Sequence, residues 1–201
     1  MPAQILGAYF KSVMGSMLDA TAALLFPQHR RRIAEMRDDA WYPMEDYVRM
    51  LHELHAKLGD ATMTALGQAS IQKTLPRIKA EGFDTLEKAF TDFQALQKGV
   101  VRDVDPRSVS RTVSLTQDSL VLDSTARLPP SLMAGYLRGL LFGFGKIVTT
   151  ESVERRGDAV RFTLKWVSGP GLPAGAVTGP RPPSGSATPP RPAHHAPPPR
   201  R

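Results

Sequence analysis

The chain has 201 residues, of which 41% are hydrophobic and 22% are charged, a composition typical of one soluble globular domain with a real core. It contains no cysteine, which excludes disulfides, cysteine-ligated zinc, iron–sulfur clusters and thiol nucleophiles. The net charge is +7, but residues 168–201 carry four arginines and no acid, which leaves +3 on residues 1–167. This weak basic field gives no reason to expect nucleic-acid binding.

The first half of the sequence has a helical pattern. An apolar stretch from Ile5 to about Leu25 predicts the first helix, and Pro27 ends it. Residues 29–39 are basic and then acidic, which predicts a solvated helix, with a phosphate site as the alternative. The sequence Trp-Tyr-Pro at residues 41–43 then predicts a turn into the next helix.

Three further helices are predicted before residue 100. Acidic residues open the first of them at position 45, and Gly59 ends it. The second follows directly and stops before Pro76, because proline cannot donate a backbone hydrogen bond. The third has Asp84 as its N-cap and Gly99 at its end.

After Gly99 the apolar residues alternate, which is typical of strands. Residues 107–127 and 146–166 each predict a β-hairpin, and residues 131–145 predict a helix between them. The spacing from Val109 to Val113 implies either an extra residue in the strand or a polar position on its inner face. The predicted fold class is therefore α+β, with a helical N-terminal half followed by a ββαββ antiparallel sheet unit.

The helix at residues 131–145 carries Gly135, Gly139 and Gly143 at a four-residue spacing. Each glycine costs a helix about 1 kcal/mol relative to alanine, so the pattern predicts a close approach along that face. One hypothesis is packing on the chain's own sheet. The other is a helix-to-helix interface between two copies, with Arg138 at its rim as an orienting charge. The helix is too short and too charged to span a bilayer.

Residues 168–201 hold 11 of the 18 prolines, mixed with glycine, serine and alanine. Such a segment buries too little apolar surface to offset its ordering entropy, so we predict a disordered tail after a single α+β domain at residues 1–167. A solubilising tail or linker is favoured over a docking peptide for a protein partner. His194 and His195 lie in this tail and could bind a metal only loosely.

Several of these features resemble a known superfamily: the Trp-Tyr-Pro turn, the pair Leu66-Gly67, and above all residues 135–166, GYLRGLLFGFGKIVTTESVERRGDAVRFTLKW. The superfamily contains heme-nitric oxide/oxygen binding domains, 4-vinyl reductase domains and the small subunits of the TRAPP complex. The resemblance covers about residues 3–167. It implies the α+β fold and a role in sensing or in assembly.

The sequence departs from the cofactor motifs of these relatives. Heme-binding members use a histidine on a helix near the middle of the domain, followed by Tyr-x-Ser-x-Arg. Here the histidines before the tail are His29, His52 and His55, all early, and residues 108–111, Ser-Val-Ser-Arg, lack the tyrosine and the spacing. The cysteines of the vinyl reductase-like domains are missing as well. The resemblance thus implies a scaffold without either cofactor site, and we predict no cofactor and no metal.

A ligand pocket between the helices and the sheet is one hypothesis for the aromatic residues. We place Trp41, Tyr42 and His55 on its helical wall and Tyr136 on its sheet side, although plain core packing is the more common role of such residues. His52 and His55 are three residues apart, as metal ligands can be, but they fall at or beyond the edge of the apolar stripe. We expect them at the surface.

No nucleophile elbow, phosphate-binding glycine loop or zinc-protease helix occurs in the sequence, so we expect no enzymatic activity. The predicted function is a cytoplasmic, homo-oligomeric sensor or protein-interaction module, which binds itself or another protein. The alternatives are a small-molecule sensor, with a tetrapyrrole or another aromatic ligand in an apolar pocket, and a structural subunit of a larger assembly.

Overall fold

The computed structural model describes residues 2–105 and 107–169. The first half is mostly helical, with three short strands, and contains β1 (Gln4–Leu6), α1 (Gly7–Met14), α2 (Asp19–Leu25), α3 (Pro27–Ala34), β2 (Trp41–Pro43), α4 (Met44–Ala80), α5 (Leu86–Thr91), α6 (Phe93–Lys98) and β3 (Val101–Arg102). The second half contains β4 (Ser110–Leu115), β5 (Ser119–Ser124), α7 (Pro130–Gly143), β6 (Lys146–Arg156) and β7 (Ala159–Ser168). A helical half followed by a ββαββ unit confirms the predicted fold class.

The predicted first helix is wrong at its start and in its continuity. Residues 4–6 form β1, which pairs antiparallel with β2 on one side and β3 on the other. The backbone at these positions is therefore extended, and α1 begins only at Gly7. A Cβ at Gly7 would overlap the carbonyl oxygen of Arg37, so this entry into the helix requires glycine. Residues 41–43, the predicted Trp-Tyr-Pro turn, form the strand β2.

Helix α4 consists of two helical parts that meet at Gly59. This residue has φ +72° and ψ 174°, a conformation that only glycine adopts easily, which confirms the predicted helix end. The second part does not stop before Pro76 as predicted but runs to Ala80. Pro76 cannot donate a backbone hydrogen bond, but Leu75 and Ile78 on either side of it are buried. Their packing in the core keeps this part of the chain helical.

Any substitution of Gly59 by an L-residue should strain the backbone. A Cβ there would meet nothing within 4 Å, so the cost of Gly59→Ala is that of the backbone conformation alone, about 1–3 kcal/mol. We expect urea unfolding to show this loss. Gly15→Ala is the control, because Gly15 has an ordinary helical φ of −66°. Equal stabilities of the two variants would contradict the assigned conformation.

The last predicted helix is divided into α5 and α6, and its N-cap is Thr85 instead of Asp84. The Thr85 hydroxyl accepts from the Lys88 backbone N–H at 3.2 Å, while the Asp84 carboxylate accepts from the Lys88 ammonium at 2.7 Å. Asp92 interrupts the helix and caps α6 by accepting from the Ala95 N–H at 2.9 Å. Gly99 ends α6 as predicted.

The four strands of the second half form one antiparallel sheet in the order β4-β5-β7-β6. The register between β4 and β5 shifts between Thr112 and Ser114, and Val113 is left 47% exposed, which confirms the predicted extra residue. On β7, Phe162, Leu164 and Trp166 alternate into the core as predicted. Helix α7 links β5 to β6.

The glycines of α7 contact α4 of the same chain. A Cβ at Gly135 would overlap the carbonyl oxygen of Thr64, and Gly67 on α4 faces the α7 backbone in the same way. Gly139 packs on Ile71, and Gly143 packs on Leu75. The close approach was predicted, but both hypotheses about its partner are wrong: the glycine face meets neither the sheet nor a second copy, because α4 covers it.

Arg138 points away from this contact and pairs with Glu151 of β6 at 2.6 Å. Its predicted position at the rim of a dimer interface is therefore wrong as well, since that interface is occupied by α4. Self-association through another surface stays a prediction. Among the described residues, none of the helices combines the length and the apolar composition that a membrane span requires.

The folded part of the chain extends at least two residues beyond residue 167, the predicted end of the domain. Ser168 is the last residue of β7, and the Gly169 N–H donates to the Gly145 carbonyl oxygen at 3.1 Å. The rest of the predicted tail, with His194 and His195, lies outside the described residues.

Candidate ligand cavity

A cavity of about 510 Å³ lies between the N-terminal strand and helices and the inner side of α7. Its volume is within the range of small-molecule sites, about 300–1,000 Å³. Apolar side chains from β1, α4, α6, α7 and the segment after α6 supply most of its wall: Ile5, Ile71, Ile78, Phe93, Leu96, Val100, Met133 and Leu140. The cavity therefore suits a ligand with an apolar body.

Six hydroxyl-bearing residues interrupt this apolar wall. One of them, Ser108, lies between β3 and β4. The other five come from helices and are here called the hydroxyl strip: Tyr9, Ser12, Tyr47, Ser70 and Tyr136. Tyr9 and Ser12 are three residues apart on α1, so they share one helix face. Tyr47 and Ser70 come from the two parts of α4 on either side of Gly59, and Tyr136 comes from α7. The strip therefore depends on how these three helices pack together.

Hydrogen bonds connect most of the hydroxyl strip. The Tyr47 and Tyr136 hydroxyl oxygens are 2.6 Å apart, and the Ser12 and Ser70 hydroxyl oxygens are 2.5 Å apart. The Ser12 hydroxyl donates to the Tyr9 carbonyl oxygen at 2.7 Å. A carbonyl oxygen can only accept, so the single Ser12 proton is used there, and the shared proton of the serine pair comes from Ser70.

The Tyr9 hydroxyl is the exception in the strip. Tyr9 is only 6% exposed, and its hydroxyl oxygen has no hydrogen-bond partner among the described residues. Burial raises the pKa of Tyr9 to about 12, Glu81 adds to the increase, and the guanidinium of Arg77 opposes it. An unpaired buried hydroxyl costs about 1–3 kcal/mol.

The interior of the cavity is neutral. Burial raises the pKa of Tyr47, and burial together with the neighbouring Tyr47 raises the pKa of Tyr136. These phenols remain protonated at neutral pH and act as hydrogen-bonding groups without charge. The charged residues that border the cavity, Glu45, Asp105 and Arg127, are exposed. The arrangement suits an uncharged ligand.

The structure places Tyr136 in the cavity but not the other three predicted pocket residues. Trp41 and Tyr42 lie on β2, whose pairing with β1 keeps their rings outside the cavity. The Arg102 guanidinium stacks 4.5 Å from the Trp41 ring centre, and the Tyr42 hydroxyl accepts from the Arg37 N–H at 2.8 Å. The predicted shared pocket is therefore wrong for these two residues.

His55 also lies outside the cavity, next to the bend at Gly59, where its Nε2 is 2.8 Å from Asp60 Oδ1. His52 contacts the Arg127 carbonyl oxygen at 3.0 Å, and His29 contacts Glu53 at 2.7 Å. Within residues 2–105 and 107–169, no group of three His, Cys, Asp or Glu side chains could hold a metal ion.

Sequence reasoning missed Tyr9, Ser12 and Ser70 as members of the site. A usable signal existed, because Ser12 and Ser70 sit among apolar residues of predicted helices, where a polar side chain needs a buried partner. The pairing of residues 58 positions apart could not be derived from that pattern alone.

The fold and the cavity together define a mixed α+β domain with an interior, largely apolar compartment. No protein-family model matches the chain, and no curated protein matches it. Among solved structures, the chain is similar to H-NOX domains. A variant of the T. tengcongensis H-NOX has a TM-score of 0.51 at 12% identity, and the match covers 80% of this chain and 94% of that one.

An unliganded Fe(II) H-NOX variant from K. algicida has a TM-score of 0.54 at 13% identity, with 81% and 97% of the two chains covered. The oxygen complex of an H-NOX domain related to soluble guanylate cyclases has a TM-score of 0.50 at 14% identity, with 80% and 92% covered. The chain therefore has an H-NOX-like fold. This confirms one of the three resemblances; the vinyl reductase and TRAPP resemblances stay predictions.

Proposed function

We propose that the domain is a non-enzymatic small-molecule sensor that binds its ligand in the interior cavity. The observation that carries this proposal is the largely apolar interior cavity of about 510 Å³, a volume within the range of small-molecule sites. The H-NOX-like fold supports it, because the similar solved structures include an Fe(II) unliganded H-NOX protein and the oxygen complex of an oxygen-binding H-NOX domain. This favours a small-molecule sensor over a pure interaction module.

Heme does not fit the residues that line this cavity. Helix α6, near the middle of the domain, presents Phe93, Leu96 and Gln97 to it, and no histidine or cysteine is among the described lining residues. A tyrosine can bind heme iron only as a phenolate, and burial opposes ionisation of Tyr47 and Tyr136. We therefore propose an iron-free organic ligand.

A protein-interaction role is the second candidate, and one surface favours it. Edge strand β6 is 11 residues long, and its Ile147, which is 43% exposed, pairs with Val167 of β7, which is 52% exposed. Unpaired edge strands with apolar residues are ready surfaces for pairing. A sensor needs an output, so this surface is compatible with the first candidate.

Nile red, a neutral apolar dye, tests the proposal by fluorescence titration. We expect saturable one-to-one binding to the wild-type chain. Val48→Trp fills the cavity from α4 and should weaken binding about tenfold or more, since each 1.4 kcal/mol of lost contact is a factor of ten. Val113→Trp is the matched control, because Val113 lies on the outside of the sheet. Equal weakening by both variants, or none by Val48→Trp, would refute cavity binding.

A further inference from the structure

Strand β6 is the open edge of the four-stranded sheet. The opposite edge, β4, is closed by α5 and α6: the Ser110 N–H donates to the Gln97 side-chain oxygen at 3.1 Å, and the Thr112 hydroxyl donates to the Phe90 carbonyl oxygen at 2.6 Å. Within residues 2–105 and 107–169, the backbone of β6 pairs only with β7. Because alternate residues of an antiparallel strand direct N–H and C=O to opposite sides, β6 presents a row of backbone donors and acceptors away from β7.

The inner face of β6 carries an apolar residue between two opposite charges. Glu151 and Val153 lie opposite buried core residues of β7, and Arg155, two positions further, shares their face. Helix α7 covers this face only in part: Arg138 reaches Glu151 at 2.6 Å, whereas Val153 is 43% exposed and Arg155 is exposed. Beyond Glu151, the core face of the sheet therefore continues without a cover from the described residues.

A second copy of β6 could extend the sheet only in certain registers. Two antiparallel copies of one strand are related by a two-fold axis perpendicular to the sheet, and residues directly opposite share a face, so the axis passes through a residue. An axis at residue 151 or 154 places two glutamates against each other, and an axis at 155 does the same with two arginines. An axis at 152 places Glu151 against Val153. None of these four registers matches opposite charges on the inner face.

An axis at Val153 is the register that matches the charges. Each Val153 then lies against its own copy, and each Glu151 lies against Arg155 of the other copy, which gives two symmetric ion pairs around an apolar centre. On the outer face, Glu154 lies against a serine and is already paired with Arg156 of its own chain at 2.9 Å. The edge is thus complementary to itself in this register.

We infer that β6 pairs antiparallel with β6 of a second copy of this chain, with the two-fold axis at Val153, so that two four-stranded sheets join into one continuous sheet. This pairing rests on the second candidate role, protein interaction, and names the partner for it. It does not depend on ligand binding, because residues 151, 153 and 155 do not line the cavity.

Charge reversal tests the pairing by native mass spectrometry of the full chain over a range of concentrations. Arg155→Glu places two carboxylates against each other at both ion pairs, so the dissociation constant of the dimer should rise about tenfold or more. Glu151→Arg should weaken its own dimer in the same way, with two guanidinium groups. An equimolar mixture of the two variants restores opposite charges at both positions, so the heterodimer should form more tightly than either homodimer. Impaired folding alone would not give this rescue.

Arg111→Glu is the matched control for these reversals. It makes the same change of charge at an exposed position of β4, the closed edge, and should leave the dissociation constant unchanged.

Cross-linking reads the position of the axis directly. The chain has no cysteine, so Val153→Cys supplies a single thiol that lies against its own copy. A short bismaleimide should then link two chains. Val113→Cys is the control, because Val113 has a similar exposure of 47% but lies on β4, and it should give no linked dimer.

A wild-type chain that stays monomeric, a dimer that Arg155→Glu leaves unchanged, or a mixture without a preferred heterodimer would overturn the inference. The first of these results would leave β6 to another occupant, such as residues 170–201 or a different protein. Nile red titration of Arg155→Glu reports on the cavity separately and should equal that of the wild-type chain. A dimer that does not bind Nile red would refute the sensor alone, and a monomer that binds it would refute the pairing alone.

Discussion

Gly135→Ala is expected to lower the free energy of unfolding by about 3 kcal/mol, at the upper end for overpacked sites. The new Cβ would overlap the carbonyl oxygen of Thr64, which is backbone and cannot rotate away. Gly67 lies opposite, so the two helices touch backbone to backbone and can accommodate a methyl group only by moving apart. In a chain of this size the thermal midpoint should fall by about 6–12 °C.

Gly15→Ala controls for the change of glycine to alanine at a helical φ, because Gly15 is exposed and is the C-cap of α1. It should change stability by no more than about 0.5 kcal/mol. Urea unfolding of the three proteins measures both effects. An unaltered midpoint for Gly135→Ala would show that α4 and α7 do not cross at this point. The cavity wall that these two helices form would then be wrong as well.

The second large effect expected is a loss of stability above pH 10. A tyrosine whose pKa is raised on folding keeps its proton in the native state after the unfolded chain has lost it. Its stabilising contribution is complete below the unfolded pKa of about 10 and is lost as the pH rises toward the folded value. For Tyr9, with a folded pKa of about 12, this loss approaches about 3 kcal/mol near pH 12.

Tyr47 and Tyr136 add to this alkaline loss, because burial raises the pKa of each in the same direction. Urea unfolding between pH 7 and pH 11.5 measures it. The difference in stability between the wild-type chain and Tyr9→Phe should move in favour of the variant above pH 10, and the same should hold for Tyr47→Phe. A difference that is constant over this pH range would contradict the burial of these hydroxyls.

Local pattern was sufficient to predict the ββαββ unit. The alternation of Phe162, Leu164 and Trp166 identified the inner face of β7, and the spacing around Val113 identified a bulge. Gly59 as a helix end was also readable from the sequence, because a positive φ at a helix boundary favours glycine. These features depend on residues close together in the chain, where periodicity and turn chemistry carry the information.

The partners of distant residues could not be predicted in this way. The glycines of α7 indicated a close approach, but nothing in their spacing identified α4, and Gly67 is 68 positions from Gly135. The three-residue strand β1 was hidden in an apolar run that fitted a helix equally well. Its pairing with β2 is what holds Trp41 and Tyr42 outside the cavity, so the missed strand explains the wrongly predicted pocket.

The most direct test of the central claim is native mass spectrometry of the chain purified from cells that make it, before and after addition of Nile red, with Val48→Trp measured in parallel. Binding of an iron-free organic molecule in the cavity predicts a one-to-one adduct in the wild-type chain that is weaker or missing in Val48→Trp. An adduct with the mass and iron of heme, an adduct held equally by both proteins, or no adduct in the wild-type chain even with Nile red present would contradict it.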